Sequence, residues 1–66
     1  MNLQEAMETL ELWQDCSVGK QTEHKEEICC AFEIFINSNP TKSEFVRYTS
    51  GLVLFPEMIY ALWRTK

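Results

Sequence analysis

The sequence predicts an all-α fold, a small bundle of three to four helices around a buried central one, and three observations predict it. The run Ile28-Cys29-Cys30-Ala31-Phe32-Glu33-Ile34-Phe35-Ile36 is apolar at every position except Glu33, so it needs cover on almost every side. Its upstream flank, Glu23 to Glu27, consists of poor strand formers that, His24 apart, favour helix. No second segment offers itself as a strand to pair with.

For the central helix the reading places Thr22 as N-cap with Glu23 in the first turn, and takes Asn37-Ser38-Asn39-Pro40 as the stop. At about 100° per residue, Glu26, Cys30, Glu33 and Asn37 share one narrow wet stripe. Ile28, Ala31, Phe32, Phe35 and Ile36 spread over the remainder. A helix apolar nearly all round normally lies inside something larger than a two-layer packing. The chain has only 66 residues, so a single domain over 1–66 is expected, with a homodimer completing the burial.

Residues 2 to 14 read as an amphipathic helix. Asn2 caps it, with Glu5 three residues on, and Leu3, Ala6, Met7, Leu10 and Trp13 form the face expected on the central helix. The opposite face carries Glu5, Glu8, Glu11 and Asp15 with Leu12 lodged among them. Like charges at these spacings cost roughly 0.2–0.5 kcal/mol per pair. Glu11 and Asp15 also stand near the unfavourable end of the helix dipole. A solvated face accounts for such a stripe; a docking surface for a basic partner accounts for Leu12 as well.

Residues 15 to 21 are expected as a loop in which Gly19 is free to take positive φ and Cys16 is the most exposed thiol. Thr41-Lys42-Ser43-Glu44 has the form of a capping box opening a helix through about Ser50, with Phe45, Val46 and Thr49 inward and Gly51 as its end. Leu52-Val53-Leu54-Phe55 is an apolar connector. Pro56 and Glu57 start the last helix, with Met58, Ile59, Leu62 and Trp63 forming an apolar stripe and Arg64 and Lys66 at the end the dipole prefers.

Signals for chemistry are weak. Three cysteines cannot all pair within one chain, and Met1-Asn2-Leu3-Gln4-Glu5 has neither the basic nor the apolar region of a signal peptide, so free thiols in the cytoplasm are expected. No apolar stretch nears the roughly 20 residues of a membrane span. The only histidine, His24, stands apart from Cys16, and Cys29 and Cys30 diverge on a helix, so neither a metal site nor a cofactor is expected. Gly19-Lys20 lacks the glycine spacing of a phosphate loop. No base–nucleophile pair stands out, and an enzyme is not expected.

Charge is divided unevenly. Residues 1 to 39 carry eight acids against Lys20 and Lys25, a net of −6, whereas residues 40 to 66 carry Lys42, Arg47, Arg64 and Lys66 against Glu44 and Glu57, a net of +2. The reading is therefore a non-catalytic protein-binding module, a small acidic regulator or inhibitor resembling those encoded by phages. Glu5, Glu8, Glu11, Leu12 and Asp15 meet a basic partner surface, and Tyr48, Tyr60 and Trp63 form a dimer seam or second interface. The alternative is a DNA-binding regulator, because residues 42 to 66 resemble a helix-turn-helix. Their last helix, dominated by Met58, Ile59, Tyr60, Ala61, Leu62 and Trp63, offers few groups to read bases or neutralise phosphates.

Overall fold

Asn2 opens the first helix through its side-chain oxygen, which accepts from the Glu5 N–H at 2.8 Å, and α1 runs over Leu3–Gln14. In the computed structural model, which describes residues 1 to 65, four more helices follow: α2 (Val18–Glu23), α3 (Lys25–Asn37), α4 (Lys42–Thr49) and α5 (Pro56–Arg64). Thr41 and Glu44 close a reciprocal capping box at the start of α4, and Pro56 holds the first position of α5. Asn39, at φ 56°, turns the chain out of α3 ahead of Pro40.

The core belongs to α3. Ile28, Ala31, Phe32 and Phe35 are at most 1% exposed, and Ile36 is also buried. Their cover comes from Ala6 and Leu10 of α1, Met58 and Ala61 of α5, and Leu52 and Phe55 of the connector. Phe45 sets its ring edgewise on Phe32, and Tyr48 does the same on Phe35. The expected wet stripe Glu26, Cys30, Glu33 and Asn37 is exposed at all four positions. Since one chain covers its own central helix, the argument that a second copy is needed to shield it falls away.

Five helices replace the expected three or four because residues 15 to 21 are not a plain loop. Ser17 caps α2 by accepting from the Lys20 N–H at 3.2 Å, and Gly19 is helical, with no glycine at positive φ among the described residues. Thr22 accordingly caps nothing: it lies inside α2 with its hydroxyl donating to the Val18 carbonyl at 2.9 Å. His24 alone separates α2 from α3, serving as C-cap of one and N-cap of the other.

Gln21 explains why α2 forms despite its glycine. Its side chain is 1% exposed and every polar atom on it is occupied. Nε2 donates toward the carbonyls of Trp13, Cys16 and Gly51 at 3.0, 3.2 and 3.1 Å, while Oε1 accepts from the Val53 N–H at 2.8 Å. An amide has two hydrogens, so one is shared between two carbonyls. Gln14 does similar work on α4: Nε2 donates to the Arg47 carbonyl at 3.0 Å, and Oε1 accepts from the Gly51 N–H at 3.0 Å. These two glutamines join the end of α1 to the α4–α5 connector.

Two helices sit rotated from their expected stripes. On α4, Thr49 is buried and Phe45 half-buried, but Val46 is 53% exposed. On α5, Met58, Ala61 and Leu62 turn inward, leaving Ile59 and Trp63 outside. For α5 the inward side is the one that packs on α3. Glu57, Ala61 and Arg64 share a face at i, i+4, i+7. Ala61 is buried, Glu57 pairs with Lys25 at 3.6 Å, and Arg64 pairs with Glu33. Cys30, on the exposed stripe, is the open thiol, whereas Cys16 is half-buried with its S–H directed at the Leu12 carbonyl.

Candidate functional site

The acidic residues of α1 emerge on one stripe because the opposite stripe, Ala6 and Leu10, is sealed into the core. Glu8, Glu11, Leu12 and Asp15 stand at i, i+3, i+4 and i+7, with Glu5 continuing the row one turn earlier, and all five are exposed. Leu12 is 64% exposed among them. The ion pairs among the described residues join α3 to α5, and none involves an acid of α1. Glu8 has one neutral neighbour, the Gln4 amide at 3.3 Å.

Between α1 and α4 this stripe borders a groove of about 340 Å³ lined by Leu3, Gln4, Met7, Glu8, Glu11 and Tyr48. Tyr48 gives it an aromatic wall, backed by the Phe35 ring at a centroid distance of 5.5 Å, with the Arg47 guanidinium 5.4 Å from the Tyr48 centroid. Gln14 holds the two helices together at one end by bonding the last turn of α4. The structure thus brings Tyr48 to Glu8 and Glu11. Leu12 and Asp15 lie beyond the groove on the same helix face. The signal that could have joined Tyr48 to α1 was its place one turn after Phe45 and next to Thr49 on the inner side of α4.

Tyr60 and Trp63 stand elsewhere, on the outward side of α5, 67% and 75% exposed, with Ile59 beside them at 44%. Arg64 lies 5.9 Å from the Tyr60 ring centroid. Trp13, the other tryptophan, is half-buried and stacks on His24 at 4.8 Å. That stack braces the α2–α3 junction and leaves the imidazole packed against indole.

A cleft beside the α3–α5 contact is lined by Lys25, Glu26, Cys29, Cys30, Glu33 and Glu57. Burial, reinforced by the negative charge of Glu57 and opposed in part by Lys25, pushes the Cys29 thiol above its ordinary value. Cys29 therefore keeps its proton at neutral pH and is a poor nucleophile. Among the described residues no three His, Cys, Asp or Glu side chains converge to hold a metal ion, and no helix is long and apolar enough to cross a membrane.

Six residues, 50 to 55, separate α4 from α5, and the main contacts of α4 are with α1 and those of α5 with α3. Compared with protein-family models, with curated proteins and with solved structures, the chain matches none.

Proposed function

We propose that this chain is a non-catalytic protein-binding module, a small acidic regulator or inhibitor working in the cytoplasm by occlusion or recruitment. The α1 stripe engages a basic surface of a partner protein, and the chain associates with a second copy of itself through aromatic residues outside that stripe. One observation carries the reading: Leu12, a large apolar side chain 64% exposed, sits among four carboxylates that form no ion pair among the described residues. Unpaired charges steer and orient a basic partner, and a leucine in their midst that loses its water on docking adds the apolar contact that interface centres need. Nucleic acid fits this surface poorly because phosphates are repelled by it.

The test compares capture from a lysate of the source cell by the wild-type chain, by Glu8→Lys/Glu11→Lys and by Leu12→Asp, each checked for an unchanged circular dichroism melt. A basic protein retained by the wild type and lost with both variants supports the proposal. Retention indifferent to these substitutions overturns it, as does binding to duplex DNA that falls steeply with salt.

A further inference from the structure

We infer that the outward face of α5 is the seam for a second copy of this chain, docked antiparallel about a two-fold axis. The inference rests on the self-association named above and gives it a place; it is independent of the acidic face of α1. Pro56, Ile59, Tyr60 and Trp63 form this face, with no charge at its centre, and all four are exposed. Glu57 flanks the face at one end of the helix and Arg64 at the other, their side chains 55% and 50% exposed.

A two-fold interface must be complementary to itself. Antiparallel pairing of α5 sets Glu57 of each copy beside Arg64 of the other and opposes the two helix dipoles, whereas parallel pairing aligns the dipoles and brings no such pair together. Charge also selects this face over the others. Two copies of a chain of net charge −4 repel, and the repulsion comes from residues 1 to 39, which carry −6, while residues 40 to 66 carry +2.

Area sets the strength. With roughly 150–250 Å² per aromatic side chain, Tyr60 and Trp63 leave on the order of 300 Å² uncovered per copy. A pairing counts this twice and adds Ile59, Pro56 and the flanks, which brings it toward the lower limit of about 1,200 Å² for specific interfaces. Each copy already encloses its own core, so the association is a reversible one between folded chains.

Sedimentation equilibrium of the full chain under reducing conditions, from about 5 to 500 µM, tests this. The expected wild-type mass rises from one chain to two. Tyr60→Ser/Trp63→Ser stays at one chain with an unchanged melt at the lowest concentration. Glu57→Arg and Arg64→Glu each weaken association several-fold, and the double exchange restores it. Both in-chain pairs, Lys25 with Glu57 and Glu33 with Arg64, remain broken in the double variant, so recovery can come only from across the seam. A wild-type mass of one chain throughout, dimers of the serine variant, or no recovery in the double exchange would each overturn the inference. Glu8→Lys/Glu11→Lys is measured alongside; it takes the net charge from −4 to 0, lessens the repulsion between copies and does not lower the mass, so failure of the acidic surface is read separately from failure of this one.

Discussion

A methyl group added at Gly51 would lie 2.8 Å from the Cβ of Gln14 and 3.1 Å from its carbonyl oxygen. Glycine is required here by space and not by dihedral angle, since no glycine has positive φ. The Gly51 backbone lies directly against Gln14, and that closeness is what lets the Gln14 side chain bond both the Arg47 carbonyl and the Gly51 N–H.

Gly51→Ala must therefore push α1 and the connector apart, and overpacking of this kind costs about 1–3 kcal/mol. Gly19→Ala is expected to have the opposite sign. Nothing lies within 4 Å of a Cβ at Gly19, which is already helical. The gain is about 0.4–1 kcal/mol from lost freedom in the unfolded chain. Urea denaturation of the two variants beside the wild type checks both signs at once.

Gln21→Ala removes four hydrogen bonds from a site with almost no access to water. Each orphaned buried group costs about 1–3 kcal/mol where water cannot replace the partner. Some water will enter the space left behind, so a total on the order of 3 kcal/mol is expected. Hydrogen exchange locates the effect: the Val53 N–H, whose acceptor is Gln21 Oε1, loses protection ahead of the α3 amides.

These contacts also mark where sequence reading stops. Helices α1 and α4 were legible from Asn2 and from Thr41 with Glu44, because a cap is a bond between residues three apart, and α5 from Pro56, whose ring presets the first helical turn. The wet stripe of α3 was legible from periodicity alone. Helix α2 was not, because the partners of Gln21 at Gly51 and Val53 lie 30 and 32 positions away and Gly19 argues locally for a turn. The rotation of α5 was not either: stripes through Ile59 and through Ala61 are both apolar, and ion pairs reaching across to α3 favour the second. The exposure of the α1 acids followed from their composition, whereas the α1–α4 groove needed the tertiary arrangement that seats Tyr48.

Thiol reactivity separates Cys29 from Cys30 although they are adjacent. Alkylation at mildly alkaline pH, followed by mass mapping, is expected to modify exposed Cys30 first and Cys29 last, since the Cys29 thiol is raised by burial and then by Glu57. Glu57→Gln removes one of those causes and should speed Cys29 relative to Cys30. Linkage gives the sign for stability. The folded state holds this proton more tightly than the unfolded state, so the stability Cys29 contributes is complete below the unfolded thiol value of about 8.5. It is lost as pH rises from there toward the raised folded value, and a melt series across that window should fall more steeply for the wild type than for Cys29→Ala.

Leu10 and Leu12 are two residues apart on one helix and should respond oppositely to the same truncation. Leu10 is 0% exposed beneath α3, so Leu10→Ala leaves a cavity and costs about 2–5 kcal/mol, enough to threaten folding of so small a domain. Leu12→Ala, at 64% exposure, should stay within about 0.5 kcal/mol of the wild type. Near-identical melts for Leu12→Ala and the wild type, combined with weakened partner capture, would separate binding from folding at this position. A melting temperature many degrees lower would instead make Leu12 part of the core and remove the apolar contact on which the docking surface depends.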